Sequence, residues 1–587
     1  MSRSTLLAAL LIILPGTLFA TQSQVPEPIT LDRQTGVLAS MLQRFAADLR
    51  SVEHVHDIAD GPRRAQAMRG FYRDWLDRLQ AIRTEGLSTQ DSIDRLLFER
   101  ELQHRLAQLD FDAARFAEAA PLLPELPRLL DLLEARRALD YQDGRASAEV
   151  LETVRLALKK QHDAIDRDAA KAAPGVAPVV GNRAAGMLDH SRAALKAWHA
   201  FYADYDPGFT WWTKGPFEAL DELMEDYATR LRERFAGMSE PEAIVGDPIG
   251  RDALMASLAY EMIPYTPEEL VRLAENELVW IHGEMEKAAR ELGFEDWRAA
   301  LEVVKTRHVA PGEQPRLVVE MAHEAVDFLR TRELVTIPEL ATRDWRMNML
   351  SPEAQLQAPF FLGGQDVWVA FPTADMPLAK KLMSLRGNNR HFSRAVVHHE
   401  LIPGHHLQHF MNQRYSTHRS PFRTPFWGEG WALYWEFRLY DLGFATTPED
   451  KLGMLFWRAH RAARIQFSLG FHLGTMSPEQ AIDLLVANGH ERENATAEVR
   501  RSFAGDWPPI YQAAYMLGGL QFRALHRDLV ANGKMSERDF HDRILQGGSM
   551  PVEMVRAMLL DQPPSAQFES SWRFYDMAPE PQKRGRR

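Results

Sequence analysis

The 587 residues carry 45% hydrophobic and 26% charged side chains, the balance of a globular chain that can bury a large core rather than remain disordered. A formal net charge of −12 and a pI near 6.0 argue against a nucleic-acid binder, which presents a basic face. There is no cysteine, which excludes disulfides, thiolate nucleophiles, lipid attachment through a thiol and thiolate metal sites. Any metal must be held by His, Asp and Glu, so a hard or borderline ion is expected.

The chain opens with Met1-Ser2-Arg3, runs almost wholly apolar over 6–19 and reaches a small residue at Ala20. That layout predicts a secretory signal peptide over residues 1–20. The apolar run is shorter than the ~20 residues a spanning helix needs. The mature protein is therefore expected to begin near Thr21, to be periplasmic or secreted, and to have no stable membrane insertion.

Beyond the leader, helical periodicity dominates. Leu38, Met41, Leu42, Phe45 and Leu49 recur at three- and four-residue steps, as do Leu96, Leu97, Leu102, Leu106 and Leu109, each an apolar helical stripe. Thr266-Pro267-Glu268-Glu269 and Ser477-Pro478-Glu479-Gln480 combine an N-cap hydroxyl, Pro at the first helical position and Glu or Gln three residues on. Thr447-Pro448-Glu449-Asp450 is a weaker version. Residues 173–181 and 237–246 are the best linker candidates, but no composition break fixes a boundary. Residues 21–587 read as one large, mainly α unit of two lobes around a cleft, with its motif-bearing part at about 340–560. Strand signals are scarce. Val367, Val369 and Phe371 alternate with Trp368 and Ala370 after Gly363-Gly364, which fits either a short strand of a small sheet or a buried loop.

Five of the 21 histidines fall within 398–409: His398, His399, His405, His406 and His409. A zinc hydrolase needs three protein ligands, an open position for water and a carboxylate to take the water's proton. The familiar solution, His-Glu-x-x-His on a helix, puts both imidazoles on one face, but here Pro403 stands four residues after His399. On an unbroken helix His399 and His405 would lie about 9 Å apart along the axis and about 120° apart around it, too far for one ion. Pro403 removes a helical N–H and crowds the preceding turn, and Gly404 tolerates unusual dihedrals. The helix is thus expected to break there, letting His405 swing back towards His399. Two other pairings are open: His405 with His409 at i,i+4, and His398 with His405 at i,i+7. The bland alternative is a Pro-Gly turn with surface histidines.

The run from His398 to Gln408, His-His-Glu-Leu-Ile-Pro-Gly-His-His-Leu-Gln, resembles the hallmark of the bacterial domain-of-unknown-function 885 family. The likeness is strongest over 365–556 and includes Glu429-Gly430-Trp431, Arg464-Ile465, Gly470, His472 and Phe540-His541-Asp542. The family is similar to gluzincin-type zinc peptidases, mainly helical with a small sheet beside the active site. The resemblance implies one Zn2+ per chain, with His399 and His405 as ligands and Glu400 as general base. It implies a third ligand from a glutamate on a following helix, which Glu429 fits. Glu436, seven residues on and on the same helical face, is the rival.

Tyr511 and Tyr515 share a face if helical, and a tyrosine hydroxyl can stabilise an oxyanion. The family pattern has Gln where Tyr511 stands and Asp where Ser468 stands, which puts roles at those positions in question. His541 and His472 are further candidates for polarising substrate, Arg461, Arg464 and Arg523 for gripping a substrate carboxylate. Each of these residues also has an ordinary packing role available to it. The leading expectation is a zinc metallopeptidase acting on a peptide or small amide, with Glu400, Tyr515 and His541 as catalytic residues and His399, His405 and Glu429 on the metal. The strand near Val367 is expected to pair with an extended peptide. Hydrolysis of a non-peptide amide or ester is the alternative within the same chemistry. A non-catalytic exported metal- or peptide-binding protein is the alternative outside it, and a free carboxylate at Glu400 speaks against that reading.

Overall fold

In the computed structural model, which describes residues 37–238, 243–355, 358, 360–503, 507–565 and 567–577, the apolar stripe from Leu38 to Leu49 is the buried face of helix α1 (Val37–Val55). The leader-like segment 1–20 lies outside the described residues. Helices α2 (Pro62–Gln80) and α3 (Thr89–Ala119) pack on α1 through Phe71, Trp75 and Phe98, whose rings lie 4.8 to 5.7 Å from that of Phe45. In the second predicted stripe Leu97 and Leu102 are buried, while Leu96, Leu106 and Leu109 are partly so.

Helices α4 (Leu126–Arg137), α5 (Gly144–Ala172), α6 (Pro178–Ala203) and α7 (Pro207–Ala236) gather around a core of their own. The stretch 173–181 is therefore largely the turn between α5 and α6, not a domain linker, while the other linker candidate follows the end of α7 at Ala236. Next come α8 (Gly250–Tyr260), α9 (Pro267–Glu291), α10 (Trp297–Lys305) and α11 (Gln314–Thr331). Both predicted capping boxes form, at Thr266 for α9 and at Ser477 for α19 (Pro478–Ala487). Thr447 caps α18 (Pro448–His472) through its hydroxyl alone. Each such cap stabilises its helix by about 1 kcal/mol. Among the described residues no helix is long and apolar enough to cross a membrane.

After the short helix α12 (Ala341–Asp344) comes β1 (Met347–Met349); α13 (Pro352–Gln355) separates it from β2 (Val367–Val369), to which it pairs in parallel, Asn348 opposite Trp368. The expected strand is real but stops before Phe371, with Val367 and Val369 buried and Trp368 facing out. Its opposite edge is taken. Trp368 and Leu362 exchange both backbone hydrogen bonds, at 2.8 and 2.9 Å. Among the described residues neither edge of β2 is left free for an extended peptide, which corrects the pairing expected from the sequence.

The remaining helices build the main core: α14 (Leu378–Gly387), α15 (Arg390–Glu400), α16 (His405–Asn412), α17 (Pro425–Asp441), α18 and α19, α20 (Arg492–Phe503), α21 (Tyr511–His526), α22 (Glu537–Gly547) and α23 (Val552–Leu559). α17 crosses α21 at close range, through glycines. A Cβ at Gly430 would come 2.5 Å from the Cα of Gly518, and one at Gly518 would come 2.2 Å from the carbonyl oxygen of Phe426. Backbones meet there with nothing between them.

Candidate metal centre

α15 ends at Glu400, and the chain resumes as α16 at His405. The break lies where Pro403 and Gly404 predict it. Gly404 N donates back to His398 O at 3.0 Å, and a Cβ at Gly404 would sit 1.8 Å from the His399 carbonyl oxygen. Only glycine allows so tight a return. Trp431 of α17 pins the turn by donating its indole N–H to Pro403 O at 2.8 Å. The outcome is that the His399 and His405 rings lie 4.8 Å apart and perpendicular.

The hydrogen bonds fix which ring nitrogens are available. His399 Nδ1 lies 2.7 Å from Glu436 Oε1, and a carboxylate oxygen only accepts, so Nδ1 carries the hydrogen. Gln408 donates its amide to Trp427 O at 3.2 Å, which turns its Oε1 towards His405 Nδ1 at 3.2 Å. Both imidazoles are thus held with Nε2 facing inward, and both Nε2 atoms meet one oxygen. Glu429 Oε2 is 3.5 Å from His399 Nε2 and 3.1 Å from His405 Nε2. Tyr511 donates its hydroxyl to the other oxygen, Oε1. Glu436 and Glu429, seven residues apart on α17, therefore clasp opposite sides of His399, Glu436 at Nδ1 and Glu429 at Nε2.

Glu400 completes the cluster. Donor atoms of His399, Glu400 and His405 all lie within 4.8 Å of one another. Burial pushes the Glu400 carboxyl upward, against the pull of His399 and His405. Burial acts to raise Glu429 too, but the two imidazoles outweigh it and hold that carboxylate well below its usual range. For His405 burial opposes charge, yet Glu429 lifts the ring to about 9. Two basic nitrogens turned on one buried carboxylate oxygen is a donor set that needs shared protons or a cation, and the group can hold a metal ion.

These residues line a cavity of about 260 Å³, with Phe361 to Gly363 on one wall, Arg461 and Arg464 of α18 and Arg501 of α20 on another, and Tyr511 and Tyr515 of α21 closing it. Every lining residue falls within 360–515. The cavity lies inside the main core, and the α4–α7 unit contributes no residue to its lining. Tyr515 lies nearly parallel to His399, ring centroids 6.2 Å apart.

Other candidates stand elsewhere. His541 is fully buried, donates Nδ1–H to Leu334 O at 2.7 Å and accepts from Tyr434 Oη at 2.8 Å. Both its nitrogens are used, and it does not line the cavity, which removes the basis for its expected catalytic role. His409 turns to Gln413 at 2.7 Å, away from His405, and so does not form the i,i+4 pair. Burial pushes His398 down to about 4, and its ring stands edge-on to Phe444. His406 bridges Gln365 O and Ala341 O, tying α16 to the strand region. Arg523 pairs with Asp441 outside the cavity. Ser468 and His472 both bond the backbone of Pro509, just before α21. Sequence reasoning missed Gln408, Gly363, Arg501 and Trp507. Gln408 was findable as an i,i+3 neighbour of His405; Arg501 and Trp507 carry no local signal.

Among curated proteins none matches the chain. Two solved structures share its fold. One is a candidate lipoprotein of unknown function from Shewanella oneidensis, 18% identical, with a TM-score of 0.64 over 89% of this chain and 99% of that one. The other is a candidate lipoprotein from Colwellia psychrerythraea, 16% identical, with a TM-score of 0.55 over 88% and 97%. The sequence pattern of the family described as "Bacterial protein of unknown function (DUF885)" matches residues 52–559. That match runs from the last turn of α1 through the histidine cluster to the end of α23, and the chain belongs to this bacterial family.

Proposed function

We propose that the protein is an exported zinc-dependent peptidase. The observation that carries this reading is the meeting of His399 Nε2 and His405 Nε2 on Glu429 Oε2 in a buried cavity beside the carboxylate of Glu400. Tetrahedral zinc with bonds of ~2.0–2.1 Å sets its ligand atoms about 3.3 Å apart, and the two separations here, 3.5 and 3.1 Å, bracket that spacing. Three protein ligands also leave a fourth position open, as a catalytic site requires.

His399, His405 and Glu429 would hold the ion. When bound, it supplies a Lewis acid and lowers the pKa of water at this position. Glu400 takes a proton from the attacking water onto its carboxylate and returns it to the leaving amine. Its burial favours that task by weakening solvation of the charged form. Tyr515 and Tyr511 are within the same cavity and can direct an O–H towards the carbonyl oxygen as it gains charge, Tyr511 by releasing Glu429 Oε1.

Export is supported by the leader-like residues 1–20 and by the description of both structural neighbours as lipoproteins. With no cysteine there is no thiol here to carry a lipid, so we propose a cleaved leader and a periplasmic or secreted protein.

The test pairs metal content with turnover. Wild type should hold about one zinc per chain, as three-ligand catalytic sites do, and His399→Ala should lose it. Glu400→Gln should keep the metal while peptide hydrolysis falls by ~10²–10⁴-fold. Full activity in Glu400→Gln would sink the mechanism.

A further inference from the structure

The cavity wall facing the histidines is cationic beyond what its own acids balance. Arg461 and Arg464 stand three residues apart on α18, only 6% and 2% exposed, and Arg501 joins them from α20. Arg464 directs two nitrogens at a single oxygen, Glu498 Oε1, at 2.8 and 2.7 Å. Arg501 reaches the other oxygen of Glu498 at 4.0 Å. Among the described residues Arg461 has no carboxylate to itself. Its nearest, Glu436 Oε1 at 3.9 Å, already accepts from His399. Arg461 Nε and Arg464 Nη1 are buried without a hydrogen-bond partner among the described residues, and an unpaired buried donor is costly.

The guanidiniums are held in place. Arg461 and Arg464 stack over Tyr515 at 4.6 and 4.3 Å, and Arg501 over Trp507 at 5.1 Å. Such stacking fixes the forks without using their N–H groups. With a divalent ion at the histidines, five positive charges face the four carboxylates Glu400, Glu429, Glu436 and Glu498. One anion is lacking. A carboxylate matches both that charge and the fork geometry.

Resting on the peptidase reading, we propose that Arg461, Arg464 and Arg501 bind the terminal α-carboxylate of a peptide, so that the enzyme removes residues from the C-terminus. Two features favour a chain end over an acidic side chain within a longer chain. A cavity of about 260 Å³ lies below the ~300–1,000 Å³ of drug-sized sites, with little room for a peptide that enters and leaves. Both edges of β2 are hydrogen-bonded, so a long extended substrate has no strand there to join. Arg461 is one side chain removed from His399, through Glu436, which sets the carboxylate beside the scissile amide. In the reaction water adds its oxygen to that carbonyl carbon, the C–N bond breaks, and the water proton passes by Glu400 to the released amino acid.

The decisive measurement is binding, in zinc-loaded Glu400→Gln, which separates this proposal from turnover. The ligands are an N-acetylated tri-alanine peptide as free acid, the same peptide as C-terminal amide, and an amide-capped peptide whose last residue is glutamate. The free acid should bind at least about tenfold tighter than either amide, and Arg461→Met should abolish that preference. Equal affinity of acid and amide would overturn the proposal, as would a glutamate amide binding like the free acid. If Arg461→Met does not fold, the acid-to-amide ratio decides alone. Wild-type cleavage read by mass spectrometry tests the peptidase reading separately: release of single C-terminal residues supports both, and preference for the free acid in binding with no hydrolysis would overturn the peptidase reading and leave the carboxylate-binding assignment of the arginines standing.

Discussion

Gly363 lies against Glu400 and Gly404 against His399, and neither has room for a side chain. At Gly404 the obstacle is backbone, the His399 carbonyl, so substitution there breaks the return that brings His405 to His399. At Gly363 the obstacle is the proposed general base. A Cβ would meet Glu400 Oε2 at 2.1 Å and Glu400 Cα at 3.0 Å. The carboxylate is the end of a flexible side chain and gives way first. Gly363→Ala should therefore displace Glu400 while leaving His399, His405 and Glu429 in place. We expect normal metal content and a melting temperature close to wild type, with turnover reduced towards that of Glu400→Gln, itself ~10²–10⁴-fold down. Loss of metal in Gly363→Ala would mean that Glu400 and its neighbours are coupled more tightly than this geometry indicates.

At the scale of elements, the glycine crossing of α17 and α21 decides how Glu429 meets Tyr511. Gly430 is the next residue after Glu429, and its Cα faces Gly518 in the turn after Tyr515. A methyl group at Gly430 meets backbone atoms, which cannot rotate away, so the helices must separate. Overpacking of this kind costs about 1–3 kcal/mol, and we expect Gly430→Ala near the upper end. The same shift should loosen the Tyr511 bond to Glu429 and weaken metal affinity, read by competition with a chelator alongside the denaturation midpoint. Destabilisation with unchanged affinity would show that α17 and α21 move as one. None of this crossing was legible in the sequence, because glycines on two distant helices carry no mark of each other. What was legible was local. Pro403-Gly404 announced the helix break, the Thr-Pro-Glu-Glu and Ser-Pro-Glu-Gln runs announced helix starts, and the shared face of Glu429 and Glu436 marked them as rivals for one place beside the histidines, where the fold gives each its own side of His399. The occupied edge of β2, the α4–α7 core and the Arg501 contribution depend on segments that meet only after folding.

On the scale of the whole molecule, the proposed ligands come from three helices, α15, α16 and α17, within a shell supplied by α18, α20 and α21. In the unfolded chain His399 and Glu429 are separate, so the ion should bind the folded form alone and stabilise it by mass action, about 4.1 kcal/mol at a free concentration a thousand times its Kd. That stabilisation need not spread evenly. The α4–α7 unit has its own core and lends no residue to the cavity, and local opening there need not expose the metal site. Hydrogen exchange on metal-free and zinc-loaded protein should therefore show protection gained in α15, α17, α18 and α21, with α5, α6 and α7 unchanged. The same comparison on His399→Ala should show no gain anywhere, whereas His409→Ala, whose ring turns away to Gln413, should behave as wild type. Equal gains in α5–α7 and α15–α21 would mean that the two cores unfold as a single unit. A gain that survives in His399→Ala would place the ion elsewhere in the molecule.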